Sequence, residues 1–209
     1  MRNHGESFWN ADNSYESMAE DLKKIITSLK SPVDVLGHSM GGKASMVLAI
    51  NNPDLVNRLL IVDIAPTKYQ HDQSINISIM KNLPIDDLTR RSDADLILKK
   101  TLSDDALRAF FLQSLIISPN GNSWQLNLDA LDKNMDKIIG FPDVSGQFNG
   151  MTFFLKGELS NYISDKDLPN INLLFPKNKI ITIKNAGHWV HAEATRDFLI
   201  SVKKYLSGS

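Results

Sequence analysis

Over residues 15–29 the apolar positions Met18, Leu22, Ile25, Ile26 and Leu29 recur at intervals of three and four. This spacing predicts an amphipathic helix with Asn13 or Ser14 as its N-cap. The texture then changes. Pro32-Val33-Asp34-Val35-Leu36 is short and apolar enough for a strand. After a glycine-rich turn, residues 43–51 are apolar on nearly every side (Ala44, Met46, Val47, Leu48, Ala49, Ile50), as a buried helix would be. Pro53-Asp54 restarts the chain, and Arg58-Leu59-Leu60-Ile61-Val62-Asp63 reads as a strand of a parallel sheet covered on both faces. Residues 67–148 read as helical and polar, without a convincing strand. Strand patterns return at residues 151–156 and 179–183, and a final helix over 194–206 carries Phe198, Val202 and Leu206 on one face. This order predicts an α/β fold with a mainly parallel sheet. It divides the chain into residues 1–66 and 149–209, the two parts of a core, and 67–148, a helical insert. Phe110, Phe111, Leu112 and Leu115 either line the insert's inner face or form its own core.

Composition narrows the function. The chain has 209 residues, 42% hydrophobic and 22% charged, with 23 Lys and Arg against 24 Asp and Glu. That near-neutral balance lacks the electrostatic footprint of a nucleic-acid or anionic-membrane binder. With no cysteine, a disulfide framework, a thiolate zinc site and a cysteine nucleophile are excluded. No apolar run approaches the ~18 residues of a membrane span. The polar start Met1-Arg2-Asn3-His4-Gly5-Glu6 lacks the apolar stretch of a secretory signal, so a cytoplasmic enzyme or binding protein is expected.

Candidate chemistry begins at Gly37-His38-Ser39-Met40-Gly41, a G-x-S-x-G match. With Gly and Ser each at ~7%, chance supplies such a pattern in roughly one chain in fifteen of this length. Its position between a predicted strand and a predicted helix sharpens it, because that turn lifts a serine hydroxyl clear of the sheet. Glycines on both sides are expected where the strand and helix backbones pass too close for a Cβ. The helix N-terminus would put the Met40 N–H beside the hydroxyl, where an oxyanion would form.

A serine needs a base. Of His4, His38, His71, His188 and His191, only His188 follows a late strand and turn, the loop from which a base overhangs the serine. His38 is expected to point elsewhere. His188, His191 and Glu193 lack the compact helical spacing of a metal motif, so no metal is expected. The orienting acid would usually lie just past strand 151–156, but Gly157-Glu158-Leu159-Ser160 has Ser160 at that place. Asp63, at the tip of the neighbouring strand, is the preferred acid, with Asp129 as the alternative and Glu158 behind them. Trp124 and Trp189 are candidate walls for a substrate.

Five segments carry a resemblance: Arg2-Asn3-His4-Gly5-Glu6-Ser7, Gly37-His38-Ser39-Met40-Gly41-Gly42-Lys43, Val62-Asp63-Ile64-Ala65-Pro66, Asn127-Leu128-Asp129-Ala130-Leu131 and Ala186-Gly187-His188-Trp189-Val190-His191-Ala192-Glu193. In these the chain resembles α/β-hydrolases of the YbfF-type bacterial esterase group, related to the ABHD11-like hydrolases. The resemblance implies an α/β-hydrolase fold with helices on both sheet faces and residues 67–148 as a cap. It also implies hydrolysis of small-molecule carboxylic esters, with acyl thioesters as an extension, and no cofactor. Family members carry several strands and a helix ahead of the Arg2 segment, so the fold expected here is N-terminally truncated by on the order of 50 residues. The loop supplying a second oxyanion donor falls in that part. The strand before Ser39 is then expected at an exposed sheet edge, which invites self-association.

Overall fold

The computed structural model describes residues 1–30, 32–70 and 73–207; His71 lies outside them. In chain order the elements are α1 (Tyr15–Ser28), β1 (Val33–His38), α2 (Met40–Asn51), β2 (Val56–Val62), α3 (Ser74–Lys81), α4 (Arg91–Leu98), α5 (Asp105–Gln113), β3 (Leu115–Ile116), β4 (Ser123–Trp124), α6 (Leu128–Lys133), α7 (Met135–Ile139), β5 (Met151–Gly157), α8 (Leu168–Leu174), β6 (Asn178–Ile183), α9 (Val190–Glu193) and α10 (Thr195–Leu206). They form two compact units. A sheet unit holds Tyr15–Tyr69 and Gly140–Ser209, and a helical unit holds Met1–Ser14 and Gln70–Ile139.

In the sheet unit β1, β2, β5 and β6 lie in that order, and every pairing is parallel. The unbroken apolar run of β2 is explained by its inner position: Leu59, Leu60, Ile61 and Val62 are all buried. β1 is an edge among the described residues, with Leu36 exposed, and Asp34 on it pairs with Arg58 of β2 at 2.6 Å. α2 is buried continuously from Gly42 to Ile50, as its all-round apolar sequence requires. α1 buries Tyr15, Met18, Ala19 and Ile26, while Ile25 and Leu29 of the predicted stripe face solvent. In α10, Phe198 and Val202 pack against the cluster of Leu60, Leu155 and Tyr205, but Leu206 is exposed. The sequence pattern missed α8, a seven-residue helix with Pro169 in its first turn and only Ile171 and Leu174 buried, too short to show a period.

The helical unit is built of short helices around two apolar clusters. One contains Ile77, Met80, Phe111, Leu128, Leu131 and Met135; the other contains Leu83, Leu88, Ala94, Leu98, Leu112 and Leu115. Phe111, Leu112 and Leu115 therefore form this unit's own core, and Phe110 is largely exposed. β3 and β4 pair antiparallel, a two-residue ladder that the sequence does not reveal because neither strand is long enough to alternate. Residues 1–14 group with this unit rather than with the core to which the sequence reading assigned them. Main-chain bonds hold them there: Gly5 N–H donates to Gln125 C=O (2.7 Å), and Asn127 N–H to Asn3 C=O (3.0 Å). No helix of the described residues is long and apolar enough to cross a membrane.

Candidate active site

β1 ends at His38 and α2 begins at Met40, leaving Ser39 alone on the turn with φ 51° and ψ −121°. A non-glycine residue held there costs about 1–3 kcal/mol, so the surroundings must enforce it. Ser39 N–H donates to Val62 C=O (3.1 Å), and Lys43 N–H donates to Ser39 C=O (3.1 Å). Gly37 is required by close approach, since a Cβ would lie 2.5 Å from the Gly41 carbonyl oxygen. Gly41 itself has open space, and the demand expected of it falls on Gly42, where a Cβ would lie 2.6 Å from Ile64 Cγ2. Met40 is the first residue of α2, at the positive end of the helix dipole, where N–H groups have no carbonyl four residues earlier in the helix.

The loop after β6 brings His188 to this turn. Its Nε2 lies 3.0 Å from Ser39 Oγ, and its Nδ1 lies 2.9 Å from Asp63 Oδ2. With Nδ1–H donating to the carboxylate, Nε2 is left to accept the serine proton. Asp63 follows β2 directly, is fully buried, and also has a left-handed backbone, φ 49°. Three donors offset the cost of burying its charge: Gly157 N–H to Oδ1 (2.9 Å), and the Ser160 hydroxyl and His188 Nδ1–H to Oδ2. Ser160, at the position past β5 where the sequence has no acid, thus donates to Asp63. Glu158 is engaged elsewhere and accepts Asn185 N–H at 2.9 Å. Asp129, the alternative acid, lies in the helical unit with its side chain 76% exposed and pairs with Lys81 at 2.7 Å, which lowers its pKa.

The remaining candidates are placed as follows. Trp189 stands with its ring 5.6 Å from that of His188, edge to face. Trp124 packs against both apolar clusters of the helical unit. His38 does not turn away from the site: its Nε2 lies 2.9 Å from the His188 carbonyl oxygen, and burial pushes its pKa down to about 4. Among the described residues, no three His, Asp or Glu side chains are grouped to hold a metal ion.

Three residues escaped the sequence reading. The Tyr162 ring stacks on His188, with centroids 3.9 Å apart, at a spacing no motif encodes. In the sequence Ser160 marks only the absence of an acid. Lys43 is 1% exposed; its Nζ donates to the carbonyls of Thr67 (2.8 Å) and Gly140 and lies 4.5 Å from the centre of the Tyr69 ring. Burial lowers the pKa of Lys43 to about 7. Lys43 opens the run 43–51 that the sequence marks as buried and closes the Gly37–Lys43 segment, but neither signals these partners.

Known proteins share this architecture. The alpha/beta hydrolase fold family matches residues 1–195. The mouse sn-1-specific diacylglycerol lipase ABHD11 is 39% identical over 213 residues, 99% of this chain and 69% of that protein. Esterase YbfF of Escherichia coli is 29% identical over 99% of this chain and 80% of its own length. The solved structure of a marine microorganism esterase superposes with a TM-score of 0.91 at 37% identity, over 97% of this chain and 81% of that one. With a strand–serine–helix turn on a parallel sheet and these matches along its length, the chain belongs to the alpha/beta hydrolase fold family.

Proposed function

We propose that this protein is a serine hydrolase that cleaves carboxylic esters, with acyl thioesters as further substrates, through an acyl-enzyme on Ser39. One observation carries the reading: a single imidazole lies within hydrogen-bond range of a strained serine through Nε2 and of a buried carboxylate through Nδ1. In the first step Ser39 Oγ attacks the ester carbonyl while His188 Nε2 takes its proton. Asp63 holds the Nδ1–H tautomer and stabilises the imidazolium. The Met40 N–H, at the start of α2, donates to the tetrahedral oxyanion. His188 then protonates the departing alcohol, and in the second half takes a proton from water as it attacks the acyl-enzyme. The serine is regenerated, and the acid leaves. Trp189, beside the base, is assigned to contact substrate. The names lipase and esterase borne by the similar mouse and bacterial proteins support the same class of reaction.

A fluorophosphonate probe tests this reading directly. The wild type is expected to be labelled at Ser39 and to hydrolyse short p-nitrophenyl esters, and Ser39→Ala to lose both, turnover falling by about a million-fold. A folded wild type that neither reacts with the probe nor hydrolyses esters would overturn it.

A further inference from the structure

His188 works only while its ring stays between Ser39 and Asp63, yet it sits on a loop between β6 and α9, outside any helix or strand. Side chains hold the backbone of that loop at three consecutive residues. Glu193 Oε2 accepts Gly187 N–H at 2.7 Å, and Glu193 Oε1 accepts Trp189 N–H at 3.0 Å. Between them, the His188 carbonyl lies 2.9 Å from His38 Nε2. We propose that Glu193 and His38 form a clamp on the main chain of the His188 loop and are positioning residues for the hydrolysis assigned above, on which this inference rests.

The physical case has three parts. A carboxylate accepting two N–H groups makes charge-assisted bonds, roughly twice as strong as neutral ones, and here they flank the imidazole-bearing residue on both sides. Glu193 is itself anchored, because its own N–H donates to Trp189 C=O at 2.9 Å in the single turn of α9. His38 is the residue immediately before Ser39 at the end of β1, so the strand that aims the serine also grips the residue that must deprotonate it. The separation of Ser39 and His188 is thereby set by one rigid strand end. Because a carbonyl can only accept, the His38 proton is on Nε2. Burial lowers the pKa of His38 to about 4, and because Nε2–H is present in both this tautomer and the protonated ring, the bond does not depend on the charge of His38.

Misplacing a reacting group by about 1 Å costs on the order of 100-fold in rate. On that scale His38→Ala and Glu193→Ala are each expected to slow fluorophosphonate labelling and lower kcat by about 10- to 100-fold, with KM changed little. His38→Gln can place an N–H near the Nε2 position and is expected to recover much of the loss. Glu193→Gln keeps one of the two acceptor oxygens and is expected to fall between wild type and Glu193→Ala. Labelling by the folded alanine variants within about twofold of wild type overturns the clamp, as does equal loss in His38→Gln and His38→Ala. If an alanine variant does not fold, its glutamine counterpart decides: full wild-type labelling in Glu193→Gln, or no advantage of His38→Gln over a phenylalanine substitution, overturns the proposal. If the wild type itself is not labelled, the serine reading has failed separately. Amide hydrogen exchange then judges the clamp, with Gly187 and Trp189 expected to be protected in the wild type and to lose protection in the Glu193 variants; unchanged exchange overturns it.

Discussion

A buried amide in the helical unit and a buried carboxylate in the sheet unit each gather hydrogen bonds, and they differ in what those bonds can do. Asn3 in the helical unit and Asp63 in the sheet unit are both fully buried, and both have left-handed backbones, φ 62° and 49°. Asn3 accepts from Asn10 N–H (2.8 Å) and Asn127 Nδ2 (3.1 Å) and donates to Asn13 Oδ1 (2.9 Å), so all its partners are amides. Asp63 has an amide and a hydroxyl partner as well, but its third partner is an imidazole whose far nitrogen meets a serine. A closed set of neutral partners can only fix structure. A carboxylate hub with an imidazole partner can in addition orient that ring and stabilise it when it takes up a proton. The Arg2-Asn3-His4-Gly5 segment, singled out in the sequence, is accounted for by Asn3 as a structural tie for residues 1–14.

The sharpest way to break this contrast is to neutralise the charged hub. Asp63→Asn preserves shape but removes the carboxylate, and a turnover loss of about ten-thousand-fold is expected with the fold intact. Asp129→Asn, which disturbs only an exposed pair with Lys81, should leave ester hydrolysis near wild type. If the two losses came in the reverse order, Asp63 would be demoted to a structural role. At the neutral hub, Asn3→Ala strands buried partners and should cost about 1–3 kcal/mol. That corresponds to a melting temperature lowered by roughly 2–4 °C for each kcal/mol. The labelling rate of Ser39 per folded molecule should be unaffected; a large kinetic effect without a melting shift would erase the distinction.

Lys43 provides an effect of a different kind, a slope in stability with pH. Its folded pKa, about 7, lies below the unfolded value near 10.4, so between these values the unfolded state binds more protons. Stability from this group therefore rises with pH from about 7 upward and is lowest where the buried amine is charged. The window closes from above near pH 10, where unfolded tyrosines ionise. Tyr15 and Tyr69, whose pKa values burial raises, stay neutral in the folded state through that window. In denaturant melts from pH 7 to 9.5, the wild type should gain stability relative to Lys43→Met. A flat or opposite difference would show that the ammonium is not disfavoured at this position.

Much of the sheet unit was legible in the chain because burial on both faces leaves an unbroken apolar run. β2 and α2 emerge from such runs, and β5 and β6, less fully buried, from shorter apolar ones, with ends off by only a few residues. Short elements were not legible: α8 and the β3–β4 ladder contain too few residues for any period, and tertiary packing alone stabilises them. At the site, the strand–Ser39–helix turn could be seen from local glycine spacing. The contacts of Ser160, Tyr162, His38 and Lys43 could not, because each depends on residues distant in the chain that only the fold brings together.

The sequence by itself determined the alternation of strand and helix, the strained position of Ser39, and the short set of acids and bases from which a site might be drawn. These follow from local steric rules and from hydrophobic periodicity, which act over a few residues. Only the tertiary structure decided that His188 bonds to Asp63 rather than lying free, that Ser160 supports that carboxylate, and that Glu193 and His38 grip the main chain on either side of the imidazole. Hydrogen bonds demand positions good to a few tenths of an ångström, and across 125 residues of chain from Asp63 to His188 such precision comes only from parallel strands packed in register.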